Sequence, residues 1–434
     1  MSSLLTNKIF QFLNKRVNYA VLRNYEGLPH KNAGRDIDLL IEKKVFLVVE
    51  NELIRLITDE KYKILTRYQS EKMIAYVFAK VIEGNTVILQ FDFLFETSFF
   101  GIQLLETQKI LSSRIFNGNI YHVSDEYQFL DKYLWLKCIG ASYPEKYFFL
   151  KDKMKENKLL LNLINDLVDC VNLEELEKLS SFQLKSMLFF KNLKTKPIAL
   201  ISNLFLFVFY HVVNSIFYKG FSLGFTGPDG SGKTTIINII SDQFSKIYSS
   251  IGIFHFRPHL TPNIGDAAQK AKLISEVDKN YSNPHRGGKT NKISSILRLL
   301  YYSLDYIIGY TIKIRRFLQR RSLVVFDRYF TDVIADSRRS GIYLNYKFLY
   351  WFGKLFIPSL DYNILLTADI ETILKRKQEL TPEGIHNINE KLNYLADKKD
   401  YYLVLNDGNP GEAVQKIMSI IIENQHQKNM RRFG

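Results

Sequence analysis

The chain has 434 residues, of which 46% are hydrophobic, and carries a formal net charge of +15 at pH 7. The length favours two or three domains, and the hydrophobic content excludes a disordered or fibrous protein. The chain has only two cysteines, Cys138 and Cys170, which excludes a disulfide scaffold. The N-terminal residues contain no apolar core of signal-peptide length, so the cytoplasm is the expected location. The positive charge indicates a partner such as a nucleotide, a nucleic acid or an anionic lipid, or else a solvated lysine-rich surface.

Residues 1–120 are predicted to form an α+β domain that carries three carboxylates. Asp36 and Asp38 lie two apart in a strand-like segment, so their side chains would project from the same face. Asp92 lies in a second strand-like segment, Thr86–Leu94. Carboxylates on neighbouring strands would suit Mg²⁺, whereas the alternative is that all three are turn or solvated residues.

Residues 121–220 are predicted to be helical, and they end in an uncharged segment. Ile198–Tyr218 contains no Asp, Glu, Lys or Arg and is long enough to span a membrane. Its polar residues fall near one helical face, which favours a buried helix between domains or a helix lying in a membrane surface over a spanning helix. Contact with the cytoplasmic face of a membrane therefore stays open.

Residues 221–434 alternate between strand-like and helix-like segments, which predicts a five-stranded parallel sheet with helices on both faces. The predicted strands are Phe221–Phe225, Ile251–Phe256, Leu323–Phe326, Asp361–Thr367 and Tyr401–Leu405. Helices are expected over Thr235–Ile247 and Ile293–Gln319, and loops with a short helix over Thr261–Lys292. Ligands of such sheets bind beyond the carboxyl ends of the strands, where Gly227, Arg257 and Asp327 all fall.

The sequence Gly-Pro-Asp-Gly-Ser-Gly-Lys-Thr, from Gly227 to Thr234, follows the first of these strands and fits the phosphate-binding P-loop motif. Backbone N–H groups and a helix N-terminus would hold the phosphates, Lys233 would reach the β- and γ-phosphates, and the Thr234 hydroxyl would hold Mg²⁺. The residues expected to bind the nucleotide are Gly227, Asp229, Gly230, Ser231, Gly232, Lys233, Thr234 and Thr235. ATP and Mg²⁺ are therefore the expected donor and cofactor.

These motifs make the region from Phe221 to Ile422 resemble the thymidylate kinase family of nucleoside monophosphate kinases. The segments that carry the resemblance are the glycine loop with Asp229, the Asp327-Arg328-Tyr329 triplet, Arg257-Pro258, Pro358 with Asp361, Tyr394-Leu395-Ala396, and a lid-like group of Arg376, Lys377 and Glu379. The resemblance implies phosphoryl transfer from Mg-ATP. Arg257 and Arg328 would then grip an anionic acceptor, Asp327 would orient the acceptor or a magnesium-bound water, and Arg376 or Lys377 would close over the ATP.

The acceptor is less well defined than the donor. Where the family keeps an Arg that helps to hold thymine, this chain reads Tyr302-Ser303-Leu304-Asp305-Tyr306. The chain also resembles thymidylate-kinase-like proteins encoded among bacterial capsule and lipopolysaccharide genes, which implies a sugar or glycolipid acceptor in surface polysaccharide synthesis.

The N-terminal domain is similar to the nucleotidyltransferase fold, with Asp36, Asp38 and Asp92 at the positions of its metal carboxylates. It departs from that fold at Leu22-Arg23-Asn24, which replaces the expected Gly-Ser pair.

The leading hypothesis is therefore a kinase that acts on a nucleoside monophosphate or on a sugar or glycolipid. The alternatives are a nucleotidyltransferase or nucleic-acid binder driven by the N-terminal domain, and an ATP-sensing scaffold. The sequence contains no helix-turn-helix signature and no stripe of alternating basic and aromatic residues, which disfavours a nucleic-acid partner. A homodimer is left open.

Overall fold

The computed structural model describes residues 2–82, 85–217, 220–248, 250–260 and 291–431. The chain divides into two units. The first unit comprises Met1–Lys80, Val87–Asn214 and Ile422–Gly434, and the second comprises Val81–Thr86 and Ser215–Ile421. Most of the segment predicted to form loops and a short helix, residues 261–290, lies outside the described residues.

The first unit is built on a seven-stranded mixed sheet with the strand order β3-β4-β5-β2-β1-β9-β8. These strands are β1 (Tyr19–Val21), β2 (Ile37–Ile41), β3 (Lys63–Gln69), β4 (Met73–Ile82), β5 (Asn85–Leu94), β8 (Ile115–Phe116) and β9 (Tyr121–His122). A separate two-stranded sheet contains β6 (Thr97–Phe99) and β7 (Ile102–Leu105). All five residues of β2 are buried, because its apolar side chains pack on both faces of the sheet.

Helices α1 (Ser2–Arg16) and α2 (Lys43–Asp59) pack against each other and share a core with this sheet. Asp36 immediately precedes β2, whereas Asp38 lies within it, so only one acid of the pair is a strand residue. β2 pairs in parallel with β5, and this register sets Asp38 opposite Asp92.

A helical bundle with its own core follows in the first unit. Its helices are α3 (Thr107–Ser112), α4 (Asp125–Ile139), α5 (Phe148–Met154), α6 (Lys158–Val168), α7 (Leu173–Lys178) and α8 (Ser181–Thr195). Local sequence sets where these helices begin: Asn157 caps α6, and Ser180 with Gln183 forms a capping box at α8. Both cysteines are buried and free, as expected for a chain without a disulfide scaffold.

The uncharged segment forms helix α9 (Pro197–Phe217). Pro197–Ile216 is long and apolar enough to cross a bilayer, and 11% of its apolar window is buried. Most of this apolar window is therefore exposed in the described structure.

The second unit contains a parallel sheet with the strand order β11-β12-β10-β13-β14, as the strand and helix alternation predicted. Its strands are β10 (Ser222–Thr226), β11 (Ile251–His255), β12 (Leu323–Asp327), β13 (Tyr362–Thr367) and β14 (Tyr401–Leu405). All five residues of the central strand β10 are buried, so both faces of the sheet are covered there.

Helices surround this sheet in the order expected for strand–helix alternation. They are α10 (Lys233–Ser245), α11 (Lys292–Gly309), α12 (Arg315–Gln319), α13 (Phe330–Ala335), α14 (Ser337–Ser340), α15 (Tyr346–Phe356), α16 (Ile370–Arg376), α17 (Pro382–Ala396) and α18 (Pro410–Met430). A π-helical turn, Tyr310–Ile314, interrupts the long helix predicted over Ile293–Gln319. Helix α10 begins two residues earlier than predicted, because Lys233 and Thr234 already form its first turn.

We expect the substitution Leu223→Ala in β10 to lower the free energy of unfolding by about 2–5 kcal/mol, because it leaves a cavity at a fully buried position. Urea unfolding followed by circular dichroism measures this change. The matched variant Leu355→Ala removes a leucine side chain that is 57% exposed on α15, and it should change the free energy by less than about 0.5 kcal/mol. Equal losses for the two variants would contradict the assignment of β10 to the core.

Candidate active site

The glycine loop connects β10 to α10 in a conformation that requires its glycines. Gly230 and Gly232 have positive φ angles of 91° and 88°. A Cβ atom at Gly227 would lie 1.9 Å from the carbonyl oxygen of Leu366. The loop therefore passes close to β13, and the N-terminus of α10 opens directly behind it. Thr234 and Thr235 are exposed in the first turn of this helix, where they could contact a bound phosphate and its metal ion.

Lys233 is buried beneath the loop and is 6% exposed. Its Nζ donates hydrogen bonds to the carbonyl oxygens of Gly227 and Pro228, each at 2.8 Å. Burial, together with the nearby charge of Arg328, lowers the pKa of Lys233 to about 7. A bound triphosphate would supply the anionic partner that favours the charged ammonium.

Asp327 stands at the carboxyl end of β12, directly opposite His255 of β11. Its Oδ2 lies 3.2 Å from Nδ1 of His255. Burial opposes ionisation of this carboxyl group, but the hydrogen bond from His255 and the charge of Arg328 keep its pKa below the usual value. Oδ1 is buried without a hydrogen-bond partner among the described residues, so Asp327 has an ionised oxygen to offer to Mg²⁺ or to one of its waters.

Arg328 is a buried side chain that ties β12 to the glycine loop. Its Nη1 donates to Oδ1 of Asp332 at 2.7 Å, and its Nη2 donates to Oδ1 of Asp229. Arg339 donates to the second oxygen of Asp229, so this carboxylate is held between two guanidinium groups. The φ of Arg328 is 74°, in the left-handed region, and its backbone N–H bonds to the carbonyl oxygen of Phe225 at 2.9 Å.

Arg257 follows β11 and is 2% exposed. Its Nη1 lies 3.4 Å from Oδ2 of Asp305, and its guanidinium lies 4.8 Å from the ring centre of Tyr302. Both partners belong to the stretch of α11 where the thymidylate kinase family keeps its thymine-holding Arg and this chain has none. Arg257 is therefore fixed by this helix.

Arg376, at the end of α16, lies beside the glycine loop. Its Nη1 donates to the carbonyl oxygen of Asn406 at 2.8 Å, and Nδ2 of Asn406 donates to the carbonyl oxygen of Ser231 at 2.8 Å. A Cβ atom at Gly232 would lie 3.9 Å from Nη1 of Arg376. The expected lid residue thus braces the rim of the loop in this conformation, while its neighbour Lys377 pairs with Glu379 at 3.0 Å.

The structure thus brings Lys233, Asp327, Arg328 and Arg376 together around the glycine loop. Two further residues of this site were missed in the sequence: Asn406 and His255. His255 is the last residue of β11 and Asn406 directly follows β14, so a scan for polar residues at strand ends would have found both. Arg339 lies on the short helix α14, and nothing in its local sequence indicates a contact with Asp229.

A second candidate site lies in the first unit, where Asp36, Asp38 and Asp92 each place a carboxylate oxygen within 4.8 Å of the others. Arg23 donates to Oδ2 of Asp38 at 2.6 Å, and Gln90 donates to Oδ1 of Asp92 at 3.0 Å. Arg23 belongs to the segment that replaces the expected Gly-Ser pair, so part of the negative charge already has a counter-ion.

Two carboxylates of this cluster, those of Asp38 and Asp92, resist ionisation. Burial and the neighbouring charge of Asp38 raise the pKa of Asp92 to about 7. Burial also raises the pKa of Asp38, although Arg23 opposes this shift. Hard oxygen ligands that repel one another match the requirements of a divalent cation such as Mg²⁺, which would stabilise all three in the charged form.

The parallel sheet, the glycine loop with its buried lysine and the acid at the end of β12 define a P-loop phosphotransferase. Comparison with known proteins narrows this class. The thymidylate kinase family model matches residues 225–427. A probable thymidylate kinase of Sulfolobus acidocaldarius is 29% identical over 192 residues, which cover 43% of this chain and 82% of that protein.

The crystal structure of thymidylate kinase from Ehrlichia chaffeensis is similar to 47% of this chain over 99% of its own length, with 14% identity and a TM-score of 0.34. The sequence matches, together with the site, establish the chain as a P-loop kinase whose C-terminal half is a thymidylate-kinase-like domain.

The low pKa of Lys233 predicts that ATP binding depends on pH. Below about pH 7 the ammonium is already charged, whereas above it a proton must be taken up on binding, so affinity should fall by up to about tenfold per pH unit. Titration calorimetry from about pH 6 to about pH 9 measures this dependence.

Lys233→Met should weaken binding strongly and remove this component of the pH profile. Lys246→Met changes an exposed lysine just beyond α10 and should retain the wild-type profile. Identical pH profiles for wild type and Lys233→Met would contradict the assignment.

Proposed function

We propose that the second unit transfers the γ-phosphoryl group of ATP to an anionic acceptor, with a nucleoside monophosphate as the first candidate. The observation that carries this proposal is the meeting of the Lys233 loop, Asp327 and Arg328 at the carboxyl edge of one parallel sheet. Because charge spreads over the transferring group, such a reaction needs cations and close positioning more than covalent chemistry.

The described contacts support a separate role for each side chain. Lys233 can exchange its two loop carbonyls for the β- and γ-phosphate oxygens of the donor. Thr234 and Asp327 would hold Mg²⁺, which neutralises the phosphate oxygens when bound. Arg376 is close enough to the loop to meet the donor phosphates once it releases the Asn406 carbonyl.

The acceptor would lie next to Arg328, Arg339 and Asp229. A hydroxyl or phosphate group of the acceptor would bind at the edge of this cluster, where both guanidinium groups are already oriented by Asp229. Asp305 lies in the stretch of α11 where the thymidylate kinase family keeps an Arg that helps to hold thymine. In this chain Asp305 pairs instead with Arg257, which follows β11. This pairing supports a pocket that differs from a thymidylate pocket, and a sugar or glycolipid acceptor of surface polysaccharide synthesis is the alternative within the same chemistry.

We expect purified protein with ATP and Mg²⁺ to release ADP only in the presence of an acceptor. The assay compares deoxynucleoside monophosphates with sugars and lipid-linked sugars, and mass spectrometry identifies the phosphorylated product. Asp327→Asn should lower kcat by roughly 10²–10³-fold, an effect comparable to the removal of one pre-organised charged group elsewhere.

Lys233→Met is the inactive control, and the exposed-site variant Lys246→Met should keep full activity. Tight ATP binding without turnover on any acceptor would contradict the kinase proposal and favour a nucleotide-sensing scaffold. Turnover with lipid-linked sugars but not with nucleotides would assign the alternative acceptor.

The cluster of Asp36, Asp38 and Asp92 supports a second function, a metal-dependent nucleotidyltransferase-like site in the first unit. We expect the nucleotide-free protein to bind Mn²⁺ there. Since protons compete with the metal for Asp92, affinity should rise as the pH increases towards about 7 and then level off.

Asp92→Asn should weaken Mn²⁺ binding by at least about tenfold, because it removes one of the three carboxylate ligands. The variant should still fold, because the substitution also removes repulsion between the acids. Electron paramagnetic resonance of Mn²⁺ measures the binding, and Asp152→Asn, which changes an exposed acid elsewhere in the unit, is the control. Unchanged Mn²⁺ affinity in Asp92→Asn would remove the site.

A further inference from the structure

Helix α9 exposes one continuous apolar stripe. Large apolar side chains recur at intervals of three and four residues along its length, and each of them is between 49% and 83% exposed. The members of this stripe are Ile198, Ile201, Phe205, Val208, Phe209, Val212 and Ile216. An exposed patch of this length is unusual for a protein surface and indicates a binding surface.

The opposite face of α9 is attached to the first unit by polar groups. Asn203 donates to both carboxylate oxygens of Glu96, at 3.1 and 3.3 Å. Gln69 donates to the hydroxyl of Tyr210 at 2.9 Å, and Asn214 donates to the carbonyl oxygen of Gln69, also at 2.9 Å. These contacts fix the rotation of the helix, so the apolar stripe points away from the unit that holds it.

The same contacts argue against a helix that crosses a bilayer. They extend from Asn203 to Asn214, and the ring of Phe207 also packs on Phe100 at 5.0 Å. Crossing the hydrocarbon layer would break all of them and leave the freed amides without partners. A helix that lies in the plane of the membrane keeps these bonds while its stripe faces the lipid.

The charges around the stripe distinguish a membrane from a second copy of the chain. Exposed Lys194 and Lys196 immediately precede α9, and no acidic residue occurs within the helix. Lys185 lies 5.8 Å from the ring of Phe99, which stacks on Phe100 beside the helix. With a net charge of +15, two copies would meet with like charges, whereas anionic lipid headgroups would complement the lysines.

We propose that α9 docks the protein in the plane of an anionic membrane surface, with its apolar stripe inserted among the lipids and the lysines at its N-terminal end on the headgroups. This docking does not depend on the kinase proposal, because it requires neither nucleotide nor acceptor.

Flotation of the full-length protein with vesicles, without nucleotide, tests the proposal. We expect binding to phosphatidylcholine vesicles containing about a third phosphatidylglycerol to be at least tenfold stronger than binding to phosphatidylcholine alone, and to weaken with salt. The double variant Ile201→Asp/Phe205→Asp should bind at least tenfold less. The control Val48→Asp/Val171→Asp changes two apolar residues that are at least as exposed, at 78% and 69%, on other segments of the first unit, and it should bind like wild type.

Circular dichroism and ATP binding establish that both double variants remain folded, so a loss of flotation is distinct from a loss of kinase function. Absence of flotation, or equal flotation with neutral vesicles, would overturn the proposal. Self-association that the Ile201→Asp/Phe205→Asp variant abolishes, without vesicle binding, would assign the stripe to a second copy. Resistance of the expressed protein to alkaline extraction from membranes would assign a spanning helix, which also overturns in-plane docking.

Discussion

The active-site architecture depends on one buried ion cluster, in which the carboxylate of Asp229 is held between Arg328 and Arg339. Burying these charges is costly unless each has a partner with good geometry. Arg328 meets this requirement by also bonding to Asp332, and although burial opposes its charge, the carboxylates of Asp332 and Asp229 raise its pKa. The cluster therefore joins three segments that are distant in the sequence: the glycine loop, the end of β12 and helix α14.

This cluster also accounts for the unusual backbone of Arg328. A non-glycine residue in the left-handed region is strained, and such strain persists only where the surroundings fix it. Here the N–H bond to Phe225 fixes the backbone of Arg328, and the two carboxylates fix its side chain. The left-handed backbone of Arg328 directs its guanidinium towards the glycine loop, next to the buried ammonium of Lys233. The proximity of these two cations contributes to the low pKa of Lys233.

The two units differ in which charges surround their buried carboxylates. In the second unit, acids and arginines alternate around Asp229. In the first unit, three acids converge and Arg23 contacts one of them, Asp38, while burial and the charge of Asp38 raise the pKa of Asp92. The first arrangement suits the binding of an anionic phosphate beside arginines, and the second suits a divalent cation.

The sequence by itself determined the parallel sheet, the position of the glycine loop and the acid at the end of β12, because strand patterns, glycine turns and caps are local properties of the chain. It also placed Asp38 and Asp92 on separate strands, but their direct pairing depends on the parallel register of β2 and β5, which is a long-range property. Only the tertiary structure brought Arg339 to Asp229, paired Arg257 with Asp305 and left the stripe of α9 exposed. The composition of α9 is the same whether the helix is buried, spans a membrane or lies on a surface. The contacts of Asn203, Tyr210 and Asn214 decide which face points outward. The reason is that a helix turns its polar groups towards hydrogen-bond partners, and these partners lie elsewhere in the sequence.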